Sequence, residues 1–298
     1  MEIIRKYFSK LLLMTKVSMF KLKLKYFYLM MCVVAVILLA PSSHADATEE
    51  SLDKIMLLSG LTAQIEQFPE LMKNGMQEAQ GGRLSDSAYA LVLASIDQTI
   101  LSSAIIAVVK GALAVELSST DAKQLLKWYE SNLGRQITRL EANSSTADAE
   151  SEILALESQL LANTERLGFA QRFDRLLGAT DMNVKLQKHS SVAIFSAMMT
   201  AAHPEQSVDI SSFVDQIEVL SEQSRPVIEN DIMLTFIYAY QDIETAKLEQ
   251  YENFLNAASS QKFNKIIVKS MSAAIELSIS KWATSLASIF QHKGATAL

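Results

Sequence analysis

Cysteine is nearly absent from this chain of 298 residues: Cys32 is its only one. A lone cysteine permits neither an internal disulfide framework nor a thiolate metal cluster. Proline and glycine are scarce too, four and nine residues, too few for the closely spaced hairpins of a sandwich or barrel. Basic charge is in deficit. With 27 Lys and Arg against 33 Asp and Glu the net charge is -6, which offers little surface for phosphate neutralisation and argues against nucleic acid as a partner. What the chain has in quantity is apolar side chains, 49% of the total, beside 20% charged and 7% aromatic residues. That balance excludes disorder and collagen-like repeats and leaves a globular protein dominated by long helices.

The first 45 residues read as a leader. Lys21, Lys23 and Lys25 precede an uncharged apolar stretch from Tyr26 to Ala40, Pro41 breaks it, and Ser43-His44-Ala45 presents small residues where a signal peptidase reads. Cleavage after Ala45 is expected, which makes residues 1–45 a signal peptide. A retained membrane anchor is the alternative, but the stretch falls short of the roughly 20 residues that cross a bilayer as a helix. Counted from Met1 the leader is long, whereas a true start at Met19 gives ordinary proportions. Cys32 lies within the apolar stretch, and Leu29-Met30-Met31 before it lacks the small residue expected ahead of a lipoprotein cysteine. Cleavage removes seven basic side chains and one acidic one, leaving 20 basic and 32 acidic residues and a net charge of -12. An acidic, cysteine-free mature chain with an export signal fits the periplasm of a Gram-negative bacterium, with no stable membrane anchor remaining.

From Asp46 onward apolar residues recur every three to four positions and no convincing strand alternation occurs. The expected fold is all-α with about ten helices. Helices are expected over Thr48–Ser59, Thr62–Gln80 with a bend at Pro69 and a stop at Gly81-Gly82, and as one long segment over Ser85–Leu117. Ser118 and Asp121 have capping-box spacing. After a break at Asn143–Thr146, helices follow over Ala147–Asn163, with Ile153, Leu156 and Leu160 at coiled-coil spacing, Glu165–Leu177, Asp181–Ala202 with a stop at His203-Pro204, Val208–Glu222, Pro226–Tyr240 and Glu244–Ala257. The last helix carries one apolar stripe of Phe263, Ile267, Met271, Ile275, Trp282, Leu286 and Ile289.

Two internal similarities stand out. Leu57–Thr62 resembles Leu176–Thr180, and Leu125–Ser131 with Ile137 resembles Tyr251–Ala257 with Phe263. Two pseudo-repeats of a four- or five-helix unit account for both, with chance as the alternative for matches this short. The halves, 46–143 and 147–298, would then pack face to face as one domain.

The most distinctive stretch is Trp128-Tyr129-Glu130-Ser131-Asn132-Leu133-Gly134-Arg135-Gln136-Ile137. It reads as helix, tight turn, helix: Ser131 caps the new helix, and Gly134 provides a special backbone angle or a close approach. In the second copy Ala257 and Ser260 replace the Ser and Gly. The stretch resembles the hallmark of an exported, all-helical family of proteobacterial proteins described only as a domain of unknown function, over about 30 residues around Ala122–Glu141. That resemblance implies an exported helical fold with no assigned activity and supplies no catalytic residues. Trp128, Tyr129, Ser131 and Gly134 form the candidate motif, either as a recognition surface or, as large aromatics at helical spacing favour, as packing anchors.

Chemistry-bearing constellations are missing. His189, His203 and His292 lack the Glu-x-x-His and His-Glu-x-x-His patterns of metal sites. Met199 and His203, with Met198 nearby, make at best a soft copper pair, and ordinary helix-end packing explains them as well. There is no Gly-x-Ser-x-Gly, phosphate loop or dinucleotide fingerprint, and pairs such as Glu249 with Glu252 or Glu150 with Glu157 suit a solvated helix face. No catalytic, cofactor-binding or metal residue is therefore assigned. The expectation is a non-enzymatic accessory or assembly factor that binds another envelope protein. The alternative is a module enclosing an apolar pocket for a lipid or hydrophobic small molecule, lined by Leu91–Val109.

Overall fold

The computed structural model describes residues 47–80, 86–202 and 211–293, and every regular element among them is a helix, giving an all-α fold. Helix α1 (Glu49–Leu58) starts on Thr48, whose hydroxyl accepts the Ser51 N–H, and it closes before Gly60, which takes φ +78°. Only glycine holds such an angle without strain. Next come α2 (Leu61–Gln80), α3 (Asp86–Thr99) and α4 (Ser102–Glu116). Helix α5 (Ser119–Tyr129) opens on the expected capping box: the Asp121 N–H donates to Ser118 Oγ at 3.2 Å and the Ser118 N–H to Asp121 Oδ2 at 3.1 Å. Then follow α6 (Asn132–Ser144), α7 (Ala147–Ala155), α8 (Glu157–Ala162) and α9 (Thr164–Leu177). Gly178, at φ +55°, ends α9, and the Asp174 carboxylate accepts both the N–H and the hydroxyl of Thr180 at 2.9 Å, so α9 caps α10 (Ala179–Ala202). The series closes with α11 (Ser211–Tyr240), α12 (Thr245–Asn256) and α13 (Ala258–Lys293).

Four expected helices are drawn differently, two of them joined into one. The segment over Ser85–Leu117 is broken at Ile100 and Leu101, the latter extended at φ -90° and ψ 111°. Val92, Ile96 and Ile100 form one buried stripe at four-residue spacing, and Ile105, Val109 and Leu113 form another. Five residues separate the stripes, which in a continuous helix would rotate them roughly 140° apart. The break re-phases them so that both face one core. The expected Ala147–Asn163 helix bends at Leu156, whose carbonyl accepts the Gln159 N–H in a three-residue turn at 2.9 Å, so the coiled-coil spacing does not lie on one straight helix. Pro226 does not separate two helices. It lies exposed inside α11, where the carbonyl that its missing N–H leaves behind is open to solvent instead of being sealed in the core. Pro69 is likewise inside α2. The leader, the Gly81-Gly82 stop and the His203-Pro204 stop lie outside the described residues.

Two apolar cores form among the described residues. The first gathers α1 to α5 with Met182 and Leu186 of α10 and the stripe of α13 from Phe263 to Leu286; Ile289 lies outside the described side chains. Trp282, fully buried in it, donates through Nε1 to Ser95 Oγ at 2.9 Å. The second core gathers α7 to α9, α11 and α12 around Phe173 and Tyr240, and takes Ile137 from α6. The last helix thus packs on α10 and also among the first helices, on α3 and α4, while α6 packs on α11.

Candidate functional site

The α5–α6 turn lies at the seam of the two cores. Trp128 and Tyr129 end α5, and both are half-buried. Ser131 leaves the helix at φ -67° and ψ 157°, and its Oγ accepts the Gly134 N–H at 2.9 Å, which caps α6 as expected. Gly134 serves close approach: a Cβ on it would stand 2.1 Å from the Trp128 carbonyl oxygen. No side chain larger than hydrogen fits there without moving α5.

The aromatic pair is occupied by the chain's own second similar stretch. Trp128 stacks on Phe254 with centroids 4.4 Å apart and planes 7° from parallel, and on Tyr251 at 5.7 Å. Tyr129 meets Phe254 edge-on at 5.6 Å and Phe263 at 6.3 Å. Across the chain, Trp128 and Phe254 are the residues the internal similarity pairs, and here they lie face to face. Ala257 begins α13 at φ -65° and ψ 142°, close to the Ser131 angles although it has no side chain to cap with. All four motif residues are therefore brought together, two as stacked rings and two as the turn that aims them.

Beside this stack lies a carboxyl group with no signal in the sequence. Glu141 of α6 points into the second core, where Oε1 accepts the hydroxyls of Tyr240 at 2.6 Å and Tyr251 at 2.7 Å. Burial pushes its carboxyl above the usual range, against the opposing pull of the two phenols. The partners stand 99 and 110 residues away, a distance local periodicity cannot report. Burial also raises the Asp174 carboxyl, opposed by its Thr180 bonds, while Tyr238 of α11 is pushed up to about 12 by its hydrogen bond to Glu152 of α7. At α5, burial works against ionisation of Asp121, but the Ser118 hydroxyl and the Lys262 ammonium of α13, 2.9 Å away, outweigh it and hold the carboxyl low.

These groups serve packing and helix ties. Among the described residues no three His, Cys, Asp or Glu side chains are placed to hold a metal ion. His189 Nδ1 faces Glu276 at 3.5 Å, and the Met198, Met199 and His203 side chains lie outside what is described. Glu252 of the acidic pair with Glu249 accepts Arg172 Nε at 2.7 Å, joining α9 to α12.

The surface of α4 is of another kind. From Tyr89 to Glu116 the chain has a mean hydropathy of 1.9 over its most apolar window, yet only 33% of that window is buried. Leu101, Val108 and Val115 are 49%, 45% and 81% exposed, at intervals of seven residues, with exposed Ala104 and Gly111 between them. Lys110 is the one charged residue in that stretch, and it is drawn aside to Glu49 at 2.9 Å and Asp53 at 2.7 Å of α1. The result is a seam with large residues at one position and small ones at the next, the pattern of a helix surface that accepts another helix. No protein-family model matches the chain, and no curated protein or solved structure matches it significantly.

Proposed function

We propose that this is an exported, periplasmic, non-enzymatic helical protein that acts as an accessory or assembly factor by binding another envelope protein. The observation that carries the reading is the exposed apolar seam of α4, since single exposed apolar residues are ordinary but a helix-length row of them marks a contact surface. The resemblance of the Trp128–Ile137 stretch to an exported helical family of unknown function belongs to the same proposal. So does a duplicated helical unit, which is supported by the starts of α5 and α12, Ser119 and Thr245, and of α6 and α13, Asn132 and Ala258. The pocket alternative is less favoured, because Val92, Ile96, Ile100, Ile105 and Val109 of the segment meant to line it are packed in the first core.

The test is native mass spectrometry of chain 46–298 isolated gently from the periplasm, beside a V108E/V115E double variant. Wild type should carry a protein partner, and the variant should lose at least tenfold of its occupancy at unchanged melting temperature. A bound small molecule in place of a protein, or a partner held equally by both chains, rejects the proposal.

A further inference from the structure

The exposed row on α4 carries both halves of a contact. Leu101, Val108 and Val115 supply bulk, and Gly111 and Ala104 leave gaps beside it on the same helix. Among the described residues nothing lies within 4 Å of a Cβ built on Gly111, so the chain's own packing does not use that gap. A glycine inside a helix costs about 1 kcal/mol against alanine. The gap suits a side chain brought from outside. Bulk and gap match when a second α4 runs antiparallel: pairing Val108 with Gly111 of the second copy sets Val115 opposite Ala104 in the same register, and the two-fold axis repeats both pairs. Each bulky residue then enters the space left by a small one, which lets the two helices approach closely. A parallel pair in register sets Val108 against Val108 and leaves Gly111 facing Gly111.

Charge selects the same direction. Lys110 follows Ser103 by two turns, so both stand on one flank of α4, and there Lys110 holds Glu49 and Asp53 of α1. The Ala47 N–H donates to the Leu117 carbonyl at 3.2 Å, so α1 starts level with the end of α4. An antiparallel two-fold pair keeps that flank on the same side of both copies and reverses its ends. Glu49 and Glu50 of one copy then stand level with Ser102 and Ser103 of the other, at the N-terminus of its α4, which Leu101 leaves without a side-chain cap. Carboxylates are favoured there by the free N–H groups and the helix dipole. A parallel pair sets the two acidic ends at one level, with no helix N-terminus to receive them.

We propose that α4 pairs antiparallel with α4 of a second copy of this chain, making a transient two-fold dimer through the seam. The proposal rests on the reading of α4 as a contact surface and names its occupant in the absence of another protein. The paired span, residues 103–116, is about 21 Å long, and one helix laid on another over that length stays below the roughly 1,200 Å² of a standard interface. The dimer is therefore weak, and an envelope partner with a larger contact displaces one copy.

Chain 46–298 contains every described residue and no cysteine, so introduced cysteines report only on each other. Two single variants at exposed positions, Ala104→Cys and Val115→Cys, are mixed at high micromolar concentration and treated briefly with a short bis-maleimide. In the antiparallel pair positions 104 and 115 of different copies are opposite, whereas like positions stand 11 residues, about 17 Å, apart along the helices. The 104–115 heterodimer, identified by intact mass, should form at least tenfold faster than either homodimer. It should exceed by the same factor the 104–227 product of a control mixture with Val227→Cys, 42% exposed on α11. Val108→Glu in both chains should remove the heterodimer at unchanged melting temperature. Homodimers in excess of the heterodimer, a rate equal to the control, or a heterodimer that survives Val108→Glu overturns the proposal. The mixture holds no other protein, so a failure here is distinguishable from a failure of the envelope-partner test.

Discussion

At the scale of single residues, the motif around Trp128 is held by one missing side chain and two stacked rings. Gly134→Ala introduces a Cβ 2.1 Å from the Trp128 carbonyl, so the usual helix gain of alanine is reversed and a loss of about 2 kcal/mol or more is expected in urea unfolding. Trp128→Ala should cost about 3 kcal/mol, the low end for a large aromatic because the ring is only half-buried. If its stability is unchanged, the ring is not a packing anchor. The sequence made the turn legible because Ser131 and Gly134 are local signals, but it could not show that Phe254 fills the space against Trp128. Glu141 was invisible for the same reason, and it sets a pH dependence. Its ordinary value is 4.5, and burial raises it in the fold, so the folded protein binds an extra proton between the two values. Stability from this group is complete below the ordinary value and is lost as pH rises through the raised one. Both phenols donate to Oε1, which glutamine retains. Glu141→Gln should therefore flatten the fall of melting temperature with rising pH, the remaining slope in that direction coming from Asp174, and be more stable than wild type at pH 8. An unaltered profile refutes the assignment.

At the scale of helices, caps were readable and continuity was not. Thr48, Ser118, Ser131 and Gly178 act on the backbone within a few residues, and each stands where a helix begins or ends. Whether a helix continues through a proline, or breaks among apolar residues with no breaker present, depends on what its two faces must bury. The break at Leu101 has no glycine or proline; it exists because two buried stripes are out of phase. Pro226 is tolerated because it stands exposed in α11, whereas Ile232, Phe236 and Tyr240, one to four turns further along, are the residues buried in the second core. Pro226→Ala restores the missing bond to the Glu222 carbonyl at an exposed site, and a gain of about 1–3 kcal/mol in denaturant stability is expected. A loss would mean that the proline shapes α11 to fit its neighbours.

At the scale of the whole molecule, chain order and core membership diverge. Periodicity identified the α13 stripe as buried, but not that its burial is against α3 and α4 of the first half as well as α10 of its own, since a stripe records only that it is covered. The first half carries Ile137 on a helix that belongs to the second core, and the second half carries Phe263, Trp282 and Leu286, which belong to the first. Each half alone would leave an apolar helix without its core and a core without one of its walls. Chain 46–143 expressed by itself loses Trp282, the largest fully buried side chain, and exposes the stripes of α3 and α4 that α13 covers. Neither 46–143 nor 147–298 should unfold cooperatively alone, whereas the two mixed from denaturant should recover one cooperative transition at a melting temperature that rises with concentration. The dependence follows from exchange: α13 must return to α3 and α4 as α6 returns to α11, so both cores close in the same event. Cooperative melting of an isolated half would show that its core closes without the borrowed helix, and that the two cores are separable units.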